Sequence, residues 1–191
     1  MGVLLRAIDG YEGYPITRFA CRIAPHVMLR PGELRHSVWS DIDWEGAVWS
    51  IPAERMKMRR PYSVPLSREV LALLRELAVH TGPDGLMFPA FHSHRRPMCE
   101  NTMNRAFRRM GFTFAQVTAH GLRTTASTLL NESGLWSPDA IERSLAHNDA
   151  KCDPGKSDGR CQASRRCSAA DMPLIGFPRG ARAFEVSLPR K

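Results

Sequence analysis

Long apolar runs are missing from this chain of 191 residues. None approaches the ~18 consecutive apolar residues that a membrane-spanning helix needs, so a membrane partner is not expected. The opening stretch holds only a few apolar residues before Asp9 and Glu12, which does not match a secretory signal. Acids are in short supply, 19 against 27 lysines and arginines, which leaves a net charge of +8. A basic domain of this size suits a polyanion, with nucleic acid the commonest, although a solvated basic surface gives the same balance. Cysteine is sparse and odd in number at five; with no secretory signal, a disulfide framework is not expected. Tyrosine occurs only as Tyr11, Tyr14 and Tyr62. No internal repeat is visible. What is present in ordinary measure is apolar residues, 43% of the chain, enough to form the core of one domain.

The periodicity divides the chain in two. Residues 3–30 read as helical, with one stripe at Leu4, Leu5 and Ile8 and another at Ile16, Phe19, Ala20 and Ile23. Pro31 ends that pattern and a new helical turn follows. From about Trp44 the period becomes two: Ala47, Trp49 and Ile51 alternate with Val48 and Ser50. Tyr62, Val64 and Leu66 form a second alternating run, and Pro65 marks it as an edge strand. Between the two runs lies a basic turn, Arg55-Met56-Lys57-Met58-Arg59-Arg60. Further helices are expected after Ser67, from about Glu100, from Thr118 and from Ser137-Pro138-Asp139. The segment Phe91-His92-Ser93-His94-Arg95-Arg96 reads as a polar loop. Beyond His147 neither period persists, and residues 148–191 are expected to form a disordered tail. The fold class expected is α+β, mainly helical, with a small antiparallel sheet.

Four short segments could carry chemistry. In His120-Gly121-Leu122-Arg123, residues three apart share a helix face, and the Thr118 cap puts the pair near a helix N-terminus, where phosphate is a favoured guest. Equally, a His and an Arg can lie on a solvated face. Arg30 stands between an apolar helix and a Pro-Gly turn. Its planar fork of donors matches a phosphate, or it simply caps carbonyls. Lys57 in the basic turn can reach DNA or protonate a leaving oxygen, although a plain phosphate contact is the commoner role. His147, near a helix end, is most simply a cap.

Together, in this order and spacing, the four segments resemble the tyrosine recombinase family, the phage-type integrases. Arg30 lies where its first arginine box falls. Lys57, followed by Val64-Pro65-Leu66, is similar to the β-hairpin lysine. His120-Gly121-Leu122-Arg123 is similar to the His-x-Leu-Arg box, and Leu145-Ala146-His147 to the later Leu-Gly-His box with Ala in place of Gly. Pro52-Ala53-Glu54-Arg55-Met56-Lys57 and Ser127-Thr128-Leu129-Leu130-Asn131-Glu132 resemble the satellite-phage and genomic-island subgroup. The resemblance spans residues 2–147. It implies the catalytic domain of a DNA breaking-and-rejoining enzyme, in which a tyrosine attacks a phosphodiester to give a 3′-phosphotyrosyl link and a free 5′-hydroxyl. It implies Arg30 and Arg123 as the phosphate clamp, His120 in proton transfer and orientation, Lys57 as general acid and His147 as a donor to a phosphate oxygen. Arg55, Arg59, Arg60, Arg105 and Arg108 are expected to contact DNA. No metal, cofactor or small-molecule substrate is implied. The partners expected are double-stranded DNA and other recombinase subunits, in a prokaryotic cytoplasm at the nucleoid.

The family's nucleophile lies roughly ten residues after the last histidine box, where this chain reads Asp153-Pro154-Gly155-Lys156-Ser157-Asp158. All three tyrosines precede His120. The expectation is a domain truncated at both ends that binds DNA and does not cleave it alone. Three alternatives stand beside it: an active recombinase using a partner's tyrosine, an unstable fragment, and a zinc protein built on His92, His94, His147, Cys152, Cys161 and Cys167. The cysteine intervals are unlike the short pairs of structural zinc sites.

Overall fold

The computed structural model describes residues 2–56 and 59–145. Lys57, His147 and the tail 148–191 lie outside the described residues, as does the expectation of disorder there. The fold is mainly helical, as expected, with two small antiparallel sheets where one was expected. Helix α1 covers Gly2–Asp9 and α2 Pro15–Val27. The helical reading of residues 3–30 therefore needs correction: Gly10 to Tyr14 break it, because Pro15 at the first position of α2 starts a new helix. An ion pair, Arg22 to Asp9 at 3.1 Å, links the two. Helix α2 packs against α1 and against the three later helices α4 (Arg68–Thr81), α5 (Thr102–Arg109) and α6 (Ala119–Ser133). It buries Ile16, Phe19, Ala20 and Ile23, the stripe read from the sequence.

Strands β1 (Ile42–Asp43), β2 (Val48–Ile51) and β3 (Tyr62–Pro65) form one sheet in that order. Trp49 and Ile51 point into the core and Ser50 outwards, so the alternation holds, and Pro65 sits on an edge strand. Strand β1 is short enough to leave no period. It is set by its turn, in which Asp43 Oδ1 accepts from the amides of Glu45 and Gly46 at 3.1 and 2.9 Å. A Cβ on Gly46 would fall 2.3 Å from Asp43 Oδ2, which explains the glycine.

The segment read as a polar loop is instead a hairpin of β4 (Pro89–Ala90) and β5 (Ser93–Pro97). His94, Arg95 and Arg96 are exposed on β5, so no apolar alternation reveals the strand. His92 lies in the turn and His94 on the strand. Among the described residues no group of three or more His, Cys, Asp or Glu is placed to hold a metal ion, and His147 and the three tail cysteines lie outside that set. No described helix is long and apolar enough to cross a membrane.

Two short helices flank the site: α3 (Pro31–Arg35) and α7 (Pro138–Ser144). Beneath them lies a small apolar cluster of Met28, Ala126, Ile141 and Leu145, separate from the main core. The main core fixes overall stability. Leu74 is fully buried and Val79, on the same helix, is 84% exposed. Leu74→Ala should cost about 2–5 kcal/mol in urea unfolding, while Val79→Ala should stay within about 0.5 kcal/mol. Similar losses at the two positions would mean that α4 is not packed as described.

Candidate functional site

The site begins at the end of α2. Met28 adopts the left-handed conformation (φ 48°), which turns the chain and brings Arg30 to the N-cap of α3. Pro31 occupies the first helical position and Glu33 the third. The Glu33 carboxylate accepts from the Arg30 backbone N–H at 2.9 Å and from the Arg30 guanidinium at 2.9 Å. This is the reach-back of a capping box, here with an arginine at the cap. Glu33 is buried, with 4% of its side chain exposed, while 21% of the Arg30 side chain is exposed. The carboxylate thus fixes one edge of a guanidinium that still meets solvent.

Arg123 enters from α6. It is buried, and its guanidinium donates to the carbonyl of Met28 at 2.9 Å and to the carbonyl of Leu145. One arginine therefore joins the turn before Arg30 to the segment before His147. Burial lowers the pKa of Arg123, the nearby Arg30 cation lowers it further, and Glu33 opposes both. An arginine stays charged even so. Tyr62 on β3 closes the group, donating from its hydroxyl to the carbonyl of Ser144 at 2.7 Å. Burial holds its phenol above the ordinary tyrosine range, with Glu33 adding to that and the Arg123 and Arg30 cations opposing. Arg30, Glu33, Tyr62 and Arg123 thus form one electrostatic cluster, and Glu142 on α7 adds a second carboxylate that acts on Arg123.

The remaining predicted residues are spread around this cluster. His120 is exposed on the first turn of α6, one turn before Arg123, so the shared face divides into a solvent-facing His and a buried Arg. The helix N-terminus there is already largely satisfied: Asn104 Oδ1 accepts from the Ala119 amide at 2.8 Å, and Thr118 Oγ1 from the Gly121 amide at 2.9 Å. Arg55 is held by Asp41, with both guanidinium ends on the carboxylate and one contact at 2.6 Å, and also donates to His36 O at 3.3 Å. Arg59 and Arg60 are exposed where the chain enters β3. Arg105 is exposed on α5, whereas Arg108 lies over the Phe114 ring at 4.2 Å and donates to the Val117 carbonyl. Glu33, Tyr62 and Asn104 were not singled out from the sequence. The Arg30-Pro31-Gly32-Glu33 spacing carried a capping signal for Glu33. The contact of Tyr62 spans 82 positions and left no local signal.

Comparison with known proteins follows the same lines. The model of the Phage integrase family matches residues 4–152. The chain is 43% identical over 157 residues to Putative protein IntB of Escherichia coli (strain K12), covering 75% of this chain and 40% of that protein. It is 40% identical over 158 residues to the Integrase of Enterobacteria phage P4, covering 76% and 36%. It thus spans about two-fifths of the length of these relatives. Among solved structures it is similar to XerA recombinase, with a TM-score of 0.64 at 18% identity over 87% of this chain and 64% of that one. The Tn1549 transposon integrase in complex with transposon right end DNA gives 0.58 at 16% identity over 84% and 63%. At such identities these two establish the fold.

The Arg55 pair makes a separate outcome testable. Removing the guanidinium strands a carboxylate of which 6% is exposed, so Arg55→Ala should lose about 1–3 kcal/mol of stability by urea denaturation. A variant as stable as the parent would show that Asp41 does not depend on this arginine.

Proposed function

The chain belongs to the phage integrase family, and from that premise we propose that it binds double-stranded DNA by its backbone, gripping one phosphodiester between Arg30 and Arg123. The observation that carries this reading is the convergence of the two guanidinium groups at the turn Met28–Arg30, with Glu33 bracing one and two main-chain carbonyls bracing the other. Such bracing takes up the ordering cost before the phosphate arrives, which is how a preorganised electrostatic site works. The non-bridging oxygens accept from the N–H groups left over. His120, exposed one helical turn away, orients or exchanges a proton at the same phosphate. Arg59, Arg60 and Arg105, all exposed, add contacts to neighbouring phosphates. Lys57 and His147, to which the resemblance assigns the general-acid and phosphate-donor places, add phosphate contacts in this reading.

Strand cleavage needs a nucleophile. Every tyrosine of the chain precedes His120, and Tyr62 is committed to Ser144 with its proton held by burial. The proposal is therefore binding without a 3′-phosphotyrosyl intermediate formed by this chain, with other recombinase subunits as the further partners and the nucleoid as the place of action. Duplex DNA titrated by fluorescence anisotropy should show affinity falling on the order of 10³-fold or more between about 50 and 200 mM salt. A suicide duplex incubated with the purified chain should give no covalent adduct on a denaturing gel. Salt-insensitive binding would remove the phosphate reading, and an adduct would remove the non-cleaving one.

A further inference from the structure

The last turn of α7 poses a local problem. Its terminal carbonyls have no partner within the helix. Two consecutive ones are met by side chains from elsewhere: Ser144 O by the Tyr62 hydroxyl at 2.7 Å, and Leu145 O by the Arg123 guanidinium. Tyr62 belongs to a strand and Arg123 to a helix, so the two carbonyls tie the sheet, α6 and α7 to one point.

We propose that Tyr62 is a positioning residue for the phosphate clamp, holding the Ser144 carbonyl so that the adjacent Leu145 carbonyl aims Arg123 beside Arg30. The proposal rests on the clamp reading above. Its logic is steric and electrostatic. Ser144 and Leu145 are neighbours, so their carbonyl directions are coupled through one peptide unit. Freed from Tyr62, the Ser144 carbonyl is left without its donor in a covered place and turns to find another. That turn moves the Leu145 carbonyl off Arg123. Of its two carbonyl contacts the guanidinium then keeps the one at Met28 O and can rotate about it. Arg30 is unaffected, because Glu33 holds it independently. Tyr62 suits the task because its phenol is buried and keeps its proton, so it remains a donor across the physiological range.

The test counts phosphate contacts. Each contact released contributes close to one unit to the slope of log affinity against log salt, whereas a smaller folded fraction lowers affinity and leaves that slope alone. The parent, Arg30→Ala, Tyr62→Phe and Ser63→Ala are titrated with one fluorescent mixed-sequence duplex. Ser63 is an exposed neighbour on the same strand whose hydroxyl meets that of Ser50 at 3.3 Å. Arg30→Ala is expected to reduce the slope by about one unit and Ser63→Ala to leave it as in the parent. Tyr62→Phe should also lose about one unit, with an affinity drop of roughly five-fold at low salt. A parental slope in Tyr62→Phe, with or without weaker binding, overturns the role of Tyr62 while leaving the clamp standing. An unchanged slope in Arg30→Ala overturns the clamp and the proposal with it. Should Tyr62→Phe fail to fold, the Tyr11→Phe/Tyr14→Phe chain labelled with 3-fluorotyrosine reports on Tyr62 alone. Its ¹⁹F resonance should shift on saturation with the duplex, and a resonance that stays in place overturns the proposal.

Discussion

The guanidinium of Arg123 is the point on which the arrangement of the site depends. It is buried, and it donates to the main-chain carbonyls of Met28 and Leu145, while the carboxylates of Glu33 and Glu142 act on its charge. The carbonyls orient the guanidinium without adding charge of their own. The geometry that brings one of those carbonyls within reach is unusual. Met28 is a non-glycine residue at φ 48°, a conformation that costs on the order of 1–2 kcal/mol. The hydrogen bond from Arg123 and the burial of the Met28 side chain against Ala126, Ile141 and Leu145 offset that cost. The backbone, the small apolar cluster and the arginine therefore stabilise one another.

Charge placement follows from the same economy of partners. Burial and the nearby Arg30 lower the pKa of Arg123, and Glu33 leads the groups that oppose this, with Tyr62 and Glu142 behind it. Glu33 acts on the side of Arg30, where it also accepts the N-cap amide. The buried acid thus serves α3 and the site at once. A second acid, Glu142 on α7, also acts on Arg123, so carboxylates moderate the two cations from both α3 and α7. Arg55 shows the contrast. Both ends of its guanidinium are taken by Asp41, so the pair is closed and contributes to the fold.

Much of this was legible in the sequence, for identifiable reasons. The helices expected after Ser67 and from Thr118 are present as α4 and α6, and the two-residue alternation of β2 is written by burial. Thr118 and Ser67 cap their helices as their side-chain chemistry demands. The β4–β5 hairpin escaped because its exposed middle, His94-Arg95-Arg96, carries no apolar face to alternate. The pairing of Arg30 with Arg123 was legible only through the resemblance, since 93 positions separate them. The Tyr62 contact was not legible at all: local pattern places Tyr62 beside Val64 and Leu66 on one strand face and says nothing of a carbonyl on α7. The positive charge of Arg55 and Arg108 is legible in the sequence, whereas their contacts with Asp41 and Phe114 are not.

The state of the α6 N-terminus bears on where the binding strength must come from. A free helix start offers amides and a partial positive charge to any anion. Here Asn104 and Thr118 have taken the amides of Ala119 and Gly121, two of the first three. The helix start is spent on fixing α6 against α5, which in turn fixes the angle from which Arg123 enters. Those two amides therefore contribute rigidity, and the proposed phosphate grip rests on side chains. A site built this way depends steeply on the aim of a few guanidinium groups, and small movements of the elements that aim them matter more than the overall positive charge of the chain.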